Sequence, residues 1–221
     1  TFTVNVQDVT LSGIAIASNP TKTSYYVGDT LDTTGLKLTA TYNNGTTQTI
    51  TSGFTCTPTA LSTAGAQTVI VNYGGKTATF TVNVQDVTLS GIAIASNPTK
   101  TSYYVGDTLD TTGLKLTATY NNGTTQTITS GFTCTPTALS TAGAQTITVN
   151  YGGKTATFTV NVQDVTLSGI AIASSPSKTS YYVGDTLDTT GLKLTATYSN
   201  GTTQTITSGF TCTPTALSTA G

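Results

Sequence analysis

One internal period constrains this sequence more than anything else in it. The octapeptide Thr1-Phe2-Thr3-Val4-Asn5-Val6-Gln7-Asp8 returns at Thr79–Asp86 and again at Thr157–Asp164, a spacing of 78 residues. Self-similarity at a fixed spacing means that one folding unit is repeated, so the fold must be one that works as a string of like modules. The natural division takes residues 1–8 as the last strand of a preceding repeat, 9–86 and 87–164 as two whole repeats, and 165–221 as a third repeat truncated by about 21 residues. The two whole repeats differ at two positions, where Val69 and Ile70 of the first face Ile147 and Thr148 of the second. The third departs from the second at Ser175, Ser177 and Ser199.

Within a repeat the hydrophobic pattern has a period of two. Leu36, Leu38, Ala40 and Tyr42 alternate with Lys37, Thr39 and Thr41, the pattern of a half-buried strand. Val69, Val71 and Tyr73 form a second such series, and Phe80, Val82 and Val84 a third. Leu11, Ile14 and Ile16 mark an opening strand interrupted near Ser12-Gly13. Asn43-Asn44-Gly45 and Gly74-Gly75 supply turn residues, and both are expected to form type I′ hairpin turns with two positive φ values. Pro20 and Pro58 belong in irregular or edge segments, where a missing N–H is tolerated. No window shows a helical period. Six or seven short strands in a repeat of this length point to an all-β fold, a β-sandwich.

Composition removes whole classes of function. Charged residues make up 8% of the chain, with a net charge of −1, and there is no His, Glu, Arg, Met or Trp. Without His there is no Ser-His-Asp or Cys-His catalysis and no ordinary zinc site. Without Arg, and with lysines fewer than aspartates, the basic footprint of a nucleic-acid binder is missing. No apolar run is long enough for a membrane-spanning helix, and the N-terminal residues carry no signal-peptide pattern. Threonine takes the place of charge, with 20 in the repeat spanning 9–86.

Only Gln85 and Asp86 separate the last strand of one repeat from an expected start of the next at Val87 or Thr88, with no Gly, Pro or Ser. So short a connection restricts bending, and predicts an elongated, fairly stiff rod on the order of 100 Å long for three units.

At this point the residues resemble a known family. Lys22-Thr23-Ser24-Tyr25-Tyr26-Val27-Gly28-Asp29-Thr30-Leu31-Asp32-Thr33-Thr34-Gly35-Leu36 is followed by Ala40-Thr41-Tyr42-Asn43-Asn44-Gly45-Thr46, then Thr63-Ala64-Gly65-Ala66-Gln67-Thr68, then Val71-Asn72-Tyr73-Gly74-Gly75-Lys76-Thr77-Ala78-Thr79-Phe80. This ordered set resembles the group 3 bacterial immunoglobulin-like domain, over essentially the whole of each repeat. The resemblance implies tandem immunoglobulin-like β-sandwiches in a cell-surface or secreted bacterial protein, as stalks, spacers or parts of adhesins. It supplies no catalytic residues and implies no cofactor.

Candidate chemistry is therefore thin. Cys56, Cys134 and Cys212 occur once per repeat, too far apart to bridge within a chain. Cys56 shares a face with Phe54 and is expected to be a buried, unreactive thiol, whereas an inter-chain disulfide needs an exposed position. Asp29, Asp32 and Asp86 are the weak candidates for a metal, a linker calcium, set against ordinary turn formation by aspartate. An isopeptide cross-link at Lys37 would require a buried lysine, and Lys37 lies on the threonine face. Asn44-Gly45-Thr46, Asn122-Gly123-Thr124 and Asn200-Gly201-Thr202 match the N-glycosylation pattern, although a hairpin turn accounts for them without a sugar. Tyr25 and Tyr26, with Tyr103, Tyr104, Tyr181 and Tyr182 in the other repeats, point to opposite faces of a strand. One of each pair is expected to be exposed, available to a glycan, a host protein, a neighbouring filament of identical chains, or the adjacent repeat.

The expected function is a structural, non-enzymatic stalk, spacer or fibre segment outside the bacterial cell. The alternatives are an adhesin repeat that binds a glycan or host protein, and an accessory region of a larger extracellular enzyme. The third repeat lacks the counterparts of Val69, Val71, Phe80, Val82 and Val84. Burying five such side chains is worth roughly 1.5–3 kcal/mol each, comparable to the ~5–15 kcal/mol stability of a domain. It is therefore not expected to fold alone. A chain continuing past Gly221 accounts for this more simply than strands from another chain, because residues 1–8 supply only the last strand. Near-identical neighbours are also expected to exchange strands on refolding.

Overall fold

The structure, a computed structural model, describes residues 2–219; Thr1, at the edge of the first expected strand, and Ala220 and Gly221, at the end of the third repeat, lie outside the described residues. All its regular elements are strands. By contacts the chain forms two compact units, Thr1–Gly91 with Ala118–Gln126, and Ile92–Thr117 with Thr127–Gly221.

The first repeat holds seven strands: β1 (Leu11–Ser18), β2 (Ser24–Tyr26), β3 (Lys37–Tyr42), β4 (Thr47–Ile50), β5 (Thr55–Thr57), β6 (Gly65–Tyr73) and β7 (Lys76–Gln85). They make a three-stranded sheet in the order β1-β3-β4 and a four-stranded sheet in the order β2-β7-β6-β5. Leu38, Ala40 and Ile50 from the first sheet pack in one buried cluster with Tyr25, Val69, Val71, Phe80, Val82 and Val84 from the second. This is the expected sandwich, its core set by the inward-facing half of each alternating strand. β8 (Leu89–Ser96), β9 (Ser102–Tyr104), β10 (Lys115–Tyr120), β11 (Thr125–Ile128), β12 (Thr133–Thr135), β13 (Gly143–Tyr151) and β14 (Lys154–Gln163) repeat the same two sheet orders.

Among the described residues of the third repeat only β15 (Leu167–Ser174), β16 (Lys193–Tyr198) and β17 (Thr203–Ile206) form, in the order β15-β16-β17. Ser180–Tyr182 and Thr211–Thr213 repeat the sequences of β2 and β5 yet are not strands. β2 pairs with β7 and β5 with β6, and the described residues of the third repeat contain no equivalents of β6 and β7 to pair with them. β15 survives because its partner, β16, lies within the same three-stranded sheet.

Three expectations need correction. Residues 2–8, expected to be a strand, form none here and are exposed, and no strand among the described residues pairs with them. The Gly74-Gly75 turn has both φ values positive, as type I′ requires, with Tyr73 paired to Lys76. The Asn43-Asn44-Gly45 turn is different: Gly45 alone has positive φ, at 81°. The Gly45 N–H donates to the Tyr42 carbonyl at 3.0 Å, and the Tyr42 N–H to the Thr46 carbonyl at 2.9 Å, closing a three-residue loop. Asn44 stays at negative φ because its Oδ1 accepts from the Thr46 N–H at 3.1 Å and the Thr46 hydroxyl at 2.7 Å. Finally, the second repeat's first strand opens at Leu89, a little later than expected.

Candidate functional site

Of the residues singled out by sequence, Tyr25 and Tyr26 lie in β2, which runs parallel to β7 with Tyr25 opposite Val84 and Tyr26 opposite Gln85, and Asp29 and Asp32 lie in the loop that follows. This pairing sends the two tyrosines in opposite directions. Tyr25 turns inward and is 2% exposed. Its hydroxyl donates to the carbonyls of Lys22 at 3.0 Å and Asp32 at 3.1 Å, and accepts from the Asp32 N–H at 3.2 Å. A buried tyrosine whose polar tip ties down a loop holds that loop in place. Tyr103 repeats the arrangement. Neither ring is available as an outer contact surface, which corrects the expectation at those two positions.

The aspartates serve the same loop. Asp29 Oδ2 accepts from the Tyr26 N–H at 3.1 Å and from Lys22 Nζ at 3.3 Å. The backbone bond from Tyr26 is the main reason that its carboxyl is held below the ordinary carboxylate range. Asp32 Oδ1 accepts from the Thr34 N–H at 2.9 Å, and Thr34 holds its carboxyl low as well. Lys22 Nζ also sits 4.5 Å from the Tyr25 ring centre. Asp86 is exposed in the linker, and among the described residues no three acidic or cysteine side chains converge as a metal site would require. Lys37, Lys115 and Lys193 are exposed. Cys56, Cys134 and Cys212 are half-buried rather than fully buried. Burial raises the pKa of the Cys56 and Cys134 thiols, which disfavours the reactive thiolate.

Tyr26 is the residue that reaches beyond its own repeat. Its hydroxyl donates to the main-chain carbonyl of Asn121, 95 residues away, at 2.9 Å. Asn121 opens the loop between β10 and β11, and every polar group it has is engaged. Its N–H donates to the Thr88 carbonyl at 3.0 Å. Its side-chain Oδ1 accepts from the Thr88 N–H at 2.9 Å, and its Nδ2 donates to the Asp86 carbonyl at 2.9 Å. One residue thus fastens the linker on both sides of Val87 and receives the tyrosine of the preceding repeat. Tyr26, Asp86, Thr88 and Asn121 all fall within the first compact unit.

The same joint recurs inside the second unit. The Tyr104 hydroxyl donates to the Ser199 carbonyl at 2.7 Å. Ser199 Oγ accepts from the Thr166 N–H at 3.0 Å and donates to the Asp164 carbonyl at 3.2 Å. The change from Asn to Ser keeps both linker bonds, and the tyrosine is indifferent to it because it reads main chain. Asn43 makes the matching bonds to Thr10 and Asp8, in a shallow cleft lined by Gln7, Asp8, Val9, Asn43 and Asn44. Tyr181 is half-buried, whereas Tyr182, equivalent to Tyr26, is 86% exposed. The hub asparagine escaped the sequence reading, which treated it as a turn former. The available signal was one asparagine more than the turn needs, replaced in the third repeat by another short side chain bearing oxygen.

The family model described as bacterial Ig-like domain (group 3) matches residues 18–84, 96–162 and 174–212. Pectate lyase L of Thermoclostridium stercorarium is 33% identical over 215 residues, which cover 91% of this chain and 17% of that protein. An exo-beta-1,6-galactobiohydrolase of Bifidobacterium longum subsp. longum is 38% identical over 109 residues, covering 47% of this chain and 7% of that protein. The chain therefore spans less than a fifth of the length of either curated relative. Among solved structures, domains 4–9 of the surface layer protein SbsC match at 19% identity with a TM-score of 0.32, over 89% of this chain and 38% of that one.

Proposed function

The chain belongs to the bacterial Ig-like domain (group 3) family, and from that premise we propose that it is a structural, non-catalytic segment of a bacterial surface or extracellular protein. It acts as a stalk or spacer: a series of sandwiches in which each linker is fastened by side chains of the repeats it joins. The observation that carries this reading is the four-bond hub at Asn121, repeated at Ser199. A free linker leaves its main-chain groups to water and its neighbours to swing. Here the linker carbonyl and N–H are taken by a side chain of the following repeat, and a tyrosine of the preceding repeat closes the other side. Each such bond contributes about 0.5–1.5 kcal/mol net. Several acting together favour one orientation over the many that a flexible tether samples. A charge-poor, threonine-rich surface without His, Glu or Arg suits spacing better than catalysis.

Small-angle scattering tests the proposal. The intact chain is expected to show one narrow distribution of long dimensions. A variant carrying Tyr26→Phe, Tyr104→Phe and Asn121→Ala should broaden it toward flexible beads. Equal flexibility in both would overturn the fastened-linker reading.

A second reading is an accessory region of a larger polysaccharide-acting enzyme, favoured by the identity to pectate lyase L over most of this chain. Affinity electrophoresis in gels containing plant polysaccharides separates the two. A spacer migrates unretarded, whereas retardation abolished by Tyr182→Ala would favour a polysaccharide-binding region instead.

A further inference from the structure

The loop between β3 and β4, and its counterparts in the other repeats, brings a reactive pair together. Asn44-Gly45, Asn122-Gly123 and Asn200-Gly201 occupy equivalent places in it. The turn itself requires the glycine: Gly45, Gly123 and Gly201 have φ of 81°, 81° and 80°, where an L side chain is strained. With no side chain there, the main-chain nitrogen next to the asparagine is unshielded. All three glycines are exposed, and a Cβ added to any of them would meet nothing within 4 Å. The asparagine side chain is held at the same time. Asn44 Oδ1 accepts from the Thr46 N–H at 3.1 Å and from the Thr46 hydroxyl at 2.7 Å. Thr124 makes the matching bonds to Asn122 at 3.1 and 2.6 Å, and Thr202 to Asn200 at 3.0 and 2.6 Å. Two donors thus converge on one amide oxygen in each repeat.

We propose that Asn44, Asn122 and Asn200 are sites of spontaneous modification, each converted through a cyclic imide by the nitrogen of its own glycine. At the first site hydroxide takes the Gly45 N–H proton, and the nitrogen forms a bond to Asn44 Cγ. The electron pair of the amide C=O moves onto Oδ1, where the two Thr46 donors already lie. Hydrogen bonds to a charged oxygen are roughly twice as strong as those to a neutral one, so the pair favours the tetrahedral intermediate over the starting amide. The Cγ–Nδ2 bond then breaks, and ammonia leaves with a proton from water. A water molecule opens the imide on one side to aspartate, or on the other to isoaspartate, whose main chain runs through the side-chain carbonyl carbon. The Gly45 N–H donates to the Tyr42 carbonyl at 3.0 Å, so the reaction proceeds from conformers in which that bond has opened. Other asparagines of the repeat are denied this route. Asn19 precedes Pro20, which has no N–H, and Asn72 and Asn83 precede Tyr73 and Val84, bulky residues held in paired strands. Asn43 precedes another asparagine and is tied by both side-chain atoms to Thr10 and Asp8. Each conversion adds one negative charge to a chain whose net charge is −1. Isoaspartate also adds a main-chain carbon to the loop, and Asn122 directly follows the hub residue Asn121. The loop so altered is the one that fastens the linker at Asp86 and Thr88. This inference rests on the loop chemistry and not on the spacer reading.

Incubation of the full chain in mildly alkaline buffer, with timed samples cut at lysine and sequenced by mass spectrometry, tests it. The lysine-bounded fragments 38–76 and 116–154 differ in sequence, and the third site follows Ser199 in place of Asn, so each site is read separately. Conversion of amide to acid, with isoaspartate among the products, is expected at Asn44, Asn122 and Asn200 well ahead of Asn43, Asn72 and Asn83, and faster as pH rises. Thr46→Val removes the hydroxyl donor at an exposed position while keeping its shape. It should slow conversion at Asn44 about three- to tenfold and leave Asn122 in the same molecule unchanged. Thr46→Ser, which keeps the hydroxyl, should convert at the original rate. Intact asparagine at all three sites, or conversion of Asn72 at the same rate as Asn44, would overturn the proposal. So would an Asn44 rate in Thr46→Val equal to that of the unaltered chain, since the hydroxyl would then give nothing to the developing oxyanion.

Discussion

Phe2, Val4 and Val6 stand in the same sequence as Phe80, Val82 and Val84, yet the first three lie exposed outside any strand and the second three are core. Nothing local separates them. β7 exists because β6 pairs with it on one side, β2 on the other, and β1 packs across its inner face. β1 and β15 make the same point in reverse. Both are Leu-Ser-Gly-Ile-Ala-Ile-Ala-Ser and both are strands, but β1 is half-covered where β15 is exposed along its whole length. Strand propensity in these segments is a capacity that a partner realises, and the same residues without one hold no regular structure.

The largest expected effect tests this comparison at its centre. Phe80→Ala should cost the first repeat about 3–5 kcal/mol, the usual result of emptying a buried aromatic site, and separate its unfolding from that of the second repeat. Phe2→Ala should leave the denaturation curve of the dilute chain unchanged. Equal costs would mean that residues 2–8 are as well packed as β7. A smaller contrast is expected between Tyr26→Phe and Tyr182→Phe. The first removes the bond to Asn121 and should lower the denaturation midpoint by an amount equivalent to about 0.5–1.5 kcal/mol. The second, in dilute solution, should do nothing.

The smallest effect is on pH dependence. Asp29 and Asp107 have folded carboxyls held below their ordinary value of 3.8, mainly by the main-chain N–H of Tyr26 and Tyr104. Their contribution is complete above the unfolded value and is lost as pH falls through the lower folded one. A shallow acid limb should therefore appear below about pH 4 in the denaturation midpoint. It should flatten further in Asp29→Asn, Asp107→Asn, and an unchanged limb would assign it to other carboxyls.

Much of the fold is legible in the chain because alternation has a period of two wherever a strand has one wet face. Leu38 and Ala40, or Val69 and Val71, declare their side of the sheet without help. The Gly74-Gly75 turn is equally plain, since two adjacent glycines permit the two positive φ values that a two-residue hairpin needs. Asn43-Asn44-Gly45 departs from that expectation because the bonds that Thr46 donates to the Asn44 side chain compete with the two-residue turn, and the competition is decided by contacts. Alternation also shows that Tyr25 and Tyr26 diverge, but not which of them turns inward. That depends on the parallel register with β7, and β7 lies more than fifty residues further along the chain.

What the sequence determined by itself is the module: its period, its all-β character, the inward half of its long strands and the absence of residues for most catalysis. All of these follow from side-chain chemistry and spacing within a few residues. Tertiary structure alone decided which copies of a segment become strands, and that Asn121 and Ser199 are hubs rather than turn residues. Those outcomes depend on main-chain groups brought together from 33 to 95 residues apart. A hydrogen bond to a carbonyl is blind to the side chain that carries it, so no residue pattern announces it.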